Sequence, residues 1–252
     1  MTIEEAVQAA EAGDITAMNA LGDIASQGML LQEAFEWYER SATLGDPYGT
    51  LMALISRNLY ALVSEGIGDY EGALESWHAS LNWIKVIIDD NGNSQEHREI
   101  AISKYSHTLS GIGSCLYVLG RNAEATSPLE LAIEEGEISA KVVLGLNYYK
   151  MMNEQNFEML IRQAIPLLEN VFDPGIALSN SSNLDQRILY MSHRLLEEAY
   201  RKGLGGVKPD PTKAYECLLH LETQGLEDYR EEVQSALSKY KKGIFGGYKY
   251  IG

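Results

Sequence analysis

Five histidines (His78, His97, His107, His193, His220) and two cysteines (Cys115, Cys217) are the first places to look for chemistry. His193 and Glu197 stand four apart on a predicted helix, so their side chains can touch. No third ligand accompanies them, and the order is not H-E-x-x-H, so they read as a helix-surface pair rather than a metal site. Cys217 and His220 are three apart and share a helix face. Cys217 occupies the stripe position that Trp37 holds elsewhere, which predicts a buried structural thiol. Nothing in the sequence orients a Cys–His nucleophile pair. Cys115, beside Leu116, reads as core.

Other chemical motifs are weaker. GLGG at 203–206 lacks the Lys-Ser/Thr of a phosphate loop, and GIGDYEGA at 66–73 resembles G-x-G-x-x-x-G only superficially. Neither follows a strand, the context that would make either meaningful, so both read as turn glycines. The carboxylate pairs Glu4-Glu5, Asp89-Asp90, Glu134-Glu135, Glu197-Glu198 and Glu231-Glu232 are sequence neighbours. Adjacent residues do not face each other on a helix, so no general acid/base pair is indicated. Trp37, Trp77 and Trp83 read as packing residues. No catalytic residue, metal or cofactor is expected, and the chain is not expected to be an enzyme.

The elements that position these residues follow a repeat. Indexed on Ala34, EAFEWYERSATLGD places Trp37 and Tyr38 at +3 and +4, Ser41 and Ala42 at +7 and +8, and Gly45 at +11. The same offsets recur from Thr2, Ala125, Ala164 and Ala214, ending at Gly13, Gly136, Gly175 and Gly225. The stretch from Ala73 is degenerate, with Ile84 where Gly is expected. These offsets trace one stripe of an α-helix, with Gly as a C-terminal cap.

A second helix type alternates with the first. From Ala17 come Leu21 and Gly22 at +4 and +5, then Ala25 and Gly28. Ala140, Thr108, Ser192 and Ile55 index similar stripes, the last running through Leu59, Tyr60, Val63 and Gly66. A small residue at +5 lets a neighbouring helix approach closely. The predicted fold is all-α, an α/α superhelical solenoid of antiparallel helix pairs forming one domain over 1–252. A half-unit at 2–13 precedes units at about 14–45, 46–95, 96–136, 137–183 and 184–225. A closing helix over 227–242 and a tail complete a cap at 226–252. The Gly- and Tyr-rich tail fits either a packed cap or a disordered end. VVLGLNYY at 142–149 has strand-forming residues but lies in register with the repeat, so helix is expected.

Composition bounds the function. With 252 residues, 45% of them apolar, the chain can bury a sizeable core. Two cysteines do not indicate an oxidising compartment, and no apolar run approaches a membrane span. The start has no signal-peptide pattern, which points to the cytoplasm. A net charge of −16 disfavours nucleic acid as a partner. The charge is concentrated at the front, where residues 1–56 hold nine acidic side chains and one basic, Arg40. The tail from Ala236 holds four lysines and no acid. This is ordinary solubility charge or a steering field for a basic partner.

On these residues the chain resembles the Sel1-like repeat proteins, relatives of the tetratricopeptide repeats. EAFEWYERSATLG at 33–45 and GVKPDPTKAYECLLHLETQG at 206–225 carry the resemblance. The latter keeps Gly206, Val207, Asp210, Lys213, Ala214 and Gly225. The resemblance runs from about residue 2 to 225, strong at both ends and weak in the middle. Trp77 sits one position late, and Tyr60 and Glu197 replace the +5 Gly in two units. The resemblance implies a solenoid that recruits or arranges other proteins, with no single conserved chemical site.

By analogy with that family, the first helix of each pair lines a concave face. Its offsets 2, 6 and 9 point away from the core. The candidate partner-binding residues are therefore Arg57, Tyr117, Val142, Leu146, Tyr149, Arg194, Glu198 and Arg201. Val142, Leu146 and Tyr149 are apolar or aromatic where polar residues belong. They form either a docking surface or a patch covered by the 173–183 loop or the tail. The leading function is a non-catalytic scaffold for a protein or peptide, working as a monomer or weak homodimer. The alternatives are a component acting on envelope glycan through an acidic groove, and a structural solenoid that self-associates.

Overall fold

The computed structural model describes residues 2–90, 92–153, 156–172, 183–243 and 246–252. These residues form two compact units, Met1–Leu119 and Gly120–Gly252.

The first unit holds α1 (Ile3–Glu11), α2 (Ile15–Gln27), α3 (Leu31–Thr43), α4 (Pro47–Ile67), α5 (Tyr70–Asp89) and α6 (Gln95–Val118). Each helix packs chiefly on its sequence neighbours. Helix starts follow local chemistry. Thr2 and Glu5 form a capping box, with Thr2 Oγ1 accepting from the Glu5 N–H and Glu5 Oε2 accepting from the Thr2 N–H. Asp14 and Asp46 cap α2 and α4, and Pro47 stands in the first turn of α4 where its missing N–H costs nothing.

The expected stripes are found in the core. Ala6, Ala10, Ala17, Met18 and Leu21 form one cluster, and Ala25, Ala34, Tyr38 and Ala53 another. Gly22 shows why a small residue sits at +5: a Cβ there would lie 2.6 Å from the Tyr38 ring. Gly13, Gly45, Gly136 and Gly225 adopt the positive φ expected of helix caps. Gly175 lies outside the described residues.

Helix α4 departs from its predicted register. The period puts Leu59 and Val63 on a packing stripe, yet both are exposed, together with Leu62 and Ile67. Ala61 and Ser64, expected to face outward, are buried. Ala53, Ser56, Ala61 and Ser64 are small, and their face packs between α3 and α5. Close approach by small side chains outweighs the burial of Leu and Val.

The second unit holds α7 (Asn122–Glu134), α8 (Ser139–Lys150), α9 (Phe157–Leu168), α10 (Asn183–Lys202), α11 (Pro211–Thr223) and α12 (Arg230–Leu237). A 3₁₀ turn, Glu169–Phe172, extends α9. The 142–149 segment is helical, as its register requires. The 173–183 loop invoked as a possible cover lies, up to residue 182, outside the described residues.

The tail is a correction. Helix α12 ends at Leu237 rather than at 242, and β1 (Tyr240–Lys242) pairs antiparallel with β2 (Tyr248–Tyr250). Tyr248, Lys249 and Tyr250 alternate in β2, a period of two that suits a strand with one face packed, while β1 reads Tyr-Lys-Lys. Tyr240 is buried opposite Tyr250, while Lys241 and Lys249 are exposed. Tyr248 stacks on Tyr215 of α11 with ring centroids 3.6 Å apart.

Candidate functional site

The groove in the first unit begins with a strained turn. Among the described residues, Met29 is the non-glycine with positive φ, at 58°. A left-handed conformation costs an L-residue about 1–2 kcal/mol. It leaves the Met29 side chain 74% exposed beside the exposed Leu30. Across from them, Tyr60 and Val63 of α4 complete an open cavity of about 440 Å³, with Glu33 and Glu36 of α3 at its edge. An edge-on contact with Phe35, centroids 5.3 Å apart, holds Tyr60. Leu59, Val63 and Ile67 recur every four residues, so they continue the apolar strip along one face of α4. The unit around this groove carries 17 acidic and 5 basic side chains, a formal −12 of the total −16.

Nearby polar groups are engaged internally. Arg57 makes a two-pronged pair with Glu39, at 2.7 and 2.8 Å, and lies 3.6 Å from the Phe35 ring centroid. The Trp83 indole N–H also donates to Glu39. Asp23 accepts from the Tyr38 and Tyr48 hydroxyls at 2.7 and 2.8 Å. Burial, the Asp23 hydrogen bonds and the Asp23 charge push Tyr48 up to about 12 and Tyr38 higher still.

The second unit contains a different kind of cavity, about 390 Å³, lined by Phe172, Tyr200, Lys213, Glu216, Cys217 and His220. Behind it lies His193, which is fully buried. His193 Nδ1 stands 2.8 Å from the Leu189 carbonyl oxygen, and His193 Nε2 stands 2.7 Å from His220 Nδ1. The two imidazoles are nearly coplanar, at 15°, and meet edge to edge. Phe172 approaches both edge-on at 5.2 Å. Burial holds His193 down at about 4 and also lowers His220 below its ordinary value. Burial pushes the Cys217 thiol up to about 12, so it is protonated and unreactive at neutral pH. Among the described residues, no three His, Cys, Asp or Glu side chains cluster as a metal site requires.

His193 and Glu197 were expected to pair on a helix surface. Both are instead buried, and Glu197 turns to other partners. It accepts from Arg201 at 2.8 Å and from the Tyr240 hydroxyl, with Arg194 at 3.5 Å. Glu197 occupies the position where the repeat calls for Gly. The carboxylate that fills it binds the hairpin, and Arg201 also lies over the Tyr250 ring.

The candidate partner residues are dispersed. Val142 and Leu146 are buried, because α8 packs against α7, α9, α10 and the 3₁₀ turn. Of the two readings, a docking surface or a covered patch, the exposed one is not observed for Val142 and Leu146, and their cover comes from these neighbours. Tyr117 is buried as well, and Tyr149 is half-buried. Arg57, Arg194 and Arg201 are partly buried in internal ion pairs, and Glu198 pairs with Lys202. Sequence reasoning missed both the groove and the cavity. The run GMLL at 28–31, apolar residues directly after a glycine at a helix junction, is the signal that would have pointed to the groove.

The fold thus defines an all-α protein of consecutively packed helix pairs, and no described helix is long and apolar enough to cross a membrane. No protein-family model matches the chain, and no curated protein does either. Among solved structures, the chain is similar to a Sel1 repeat protein from Oxalobacter formigenes. The match has 19% identity and covers 93% of this chain and 100% of that one, with a TM-score of 0.30.

Proposed function

We propose that the chain is a non-catalytic scaffold that binds a basic, amphipathic peptide segment of a partner protein in the groove between α3 and α4. One observation carries this reading: exposed apolar side chains at Met29, Leu30 and Val63 are edged by Glu33 and Glu36, on a unit of net −12. Exposed apolar surface favours an apolar anchor, and the negative field steers and retains a cationic one. The left-handed Met29 closes the C-terminus of α2, with the Leu30 N–H donating to the Ala25 carbonyl and the Met29 N–H to the Ser26 carbonyl, and this cap places Met29 at the groove. The same field repels phosphate backbones, so nucleic acid is not the partner. The protein works as a monomer or weak homodimer in the cytoplasm.

The test is calorimetric titration with a helix-forming Leu/Lys peptide and its Leu/Glu counterpart. The basic peptide binds, and its affinity falls as salt rises from about 0.1 M to about 1 M, where the screening length drops from about 10 to about 3 Å. Met29→Asp with Val63→Asp abolishes binding while the circular dichroism stays unchanged. Equal binding of the acidic peptide, or full binding by the double variant, overturns the proposal.

A further inference from the structure

The histidine pair in the second unit dictates which proton His220 carries. A carbonyl oxygen only accepts, so His193 Nδ1, 2.8 Å from the Leu189 oxygen, bears a hydrogen. The ring is neutral, held so by burial, and its Nε2 is therefore a bare acceptor. His220 Nδ1, 2.7 Å away, must donate to it. His220 is neutral too, which leaves its Nε2 with a lone pair and no hydrogen. Any other neutral arrangement sets two lone pairs against each other, either at Leu189 or between the rings.

His220 is half-buried and lines the 390 Å³ cavity. Among the described residues, no group donates to its Nε2. His220 therefore brings an acceptor of fixed tautomer to the cavity lining, beside the aromatic side chains of Phe172 and Tyr200. Lys213 and Glu216, both exposed, line its rim, and the Lys213 ammonium lies 5.2 Å from the Tyr200 ring centroid. The space is ample for one aromatic ring. A pocket with aromatic walls selects its ligand by the few polar groups placed in it, and His220 is the half-buried one with its orientation fixed.

We propose that this cavity binds a neutral aromatic donor, a phenol or an indole. Its O–H or N–H donates to His220 Nε2 while its ring packs against Phe172 and Tyr200. His193 acts as a positioning residue: it touches no ligand but sets the tautomer that makes His220 an acceptor. The site is independent of the peptide groove, and neither reading depends on the other.

The test uses the full chain labelled with ¹⁵N. Long-range ¹H–¹⁵N correlation spectra read the tautomer of each histidine, and titrations use p-cresol, the non-donor toluene, and a Gly-Tyr-Gly peptide blocked at both ends. His220 shows the Nδ1–H pattern, and its Nε2 resonance shifts on p-cresol addition. Binding of p-cresol exceeds that of toluene by about tenfold, one good hydrogen bond's worth. His220→Phe removes this preference while toluene still binds. His193→Phe releases the tautomer, so the His220 spectrum becomes a mixture and the preference shrinks. Tighter binding of the peptide than of p-cresol assigns the donor to a tyrosine of a partner protein, and the reverse assigns a free small molecule. An Nε2–H tautomer at His220 in the unsubstituted protein overturns the proposal without any variant. Equal binding of p-cresol and toluene, or binding of neither p-cresol nor the peptide, overturns it as well.

Discussion

Helices α4 and α8 break the same sequence rule in opposite directions. On α4, Leu59 and Val63 match the packing stripe and are exposed. On α8, Val142 and Leu146 match the outward face and are buried. The difference lies in what surrounds each helix. Helix α8 is packed by α7, α9, α10 and the 3₁₀ turn, and has few outward positions left. Helix α4 packs mainly on α3 and α5 through its small residues, which leaves its larger apolar residues outside. Periodicity finds a helix's faces, but the number and size of its neighbours decide which face is inside.

The same contrast runs through the two units' charges. The first unit keeps a net −12 around an open groove, whereas the second has 19 acidic and 15 basic side chains and sets several of them against one another. Glu197 is the clearest case, and breaking it should give the largest effect. Glu197→Ala leaves Arg201 and Arg194 without their buried acceptor and frees the Tyr240 hydroxyl. The arginines left behind, Arg194 and Arg201, are 34% and 22% exposed and can be hydrated, so the loss is about 3 kcal/mol, the low end for breaking a buried pair. Urea unfolding should report that loss, and hydrogen exchange should show the amides of β1 and β2 released.

Next comes the histidine pair. His193 is held at about 4 in the folded protein against 6.5 unfolded. A depressed histidine means that the unfolded chain binds the proton first. Its contribution is complete above pH 6.5 and lost as pH falls from 6.5 toward 4, by about 3 kcal/mol. Denaturation midpoints across that window should show the slope, and His193→Leu should flatten it. If the first unit dominated acid sensitivity, the slope would persist in that variant.

Smaller effects probe the first unit. Gly22→Ala places a Cβ 2.6 Å from Tyr38, which is buried and tied to Asp23, so the ring cannot yield freely. Overpacking of this kind costs about 1–3 kcal/mol in thermal or urea melts. Met29→Gly goes the other way. It removes the left-handed strain and should raise stability by about 1 kcal/mol or less, after glycine's greater unfolded-state freedom is counted. The same change should weaken binding of the basic peptide. Unaltered affinity would separate the strain from the groove.

Much of the fold is legible residue by residue. Gly45 caps a helix because its φ of 82° suits glycine, and Asp46-Pro47 starts the next because both residues are preorganised for a helix N-terminus. These are local constraints, expressed within one turn. The hairpin was hidden because its strands are three residues each and draw support from Tyr215, Glu197 and Arg201. The His193–His220 contact joins residues 27 apart, and no spacing rule links them.

By itself, then, the sequence determined the all-α class, the turn positions, the buried cysteines and the uneven charge. Each follows from backbone preference, helical period or composition. Tertiary packing alone decided that Val63 faces outward, that Leu146 faces inward, and that His193 meets His220. Those outcomes depend on which neighbours reach a side chain, and distance in space is not encoded by distance along the chain.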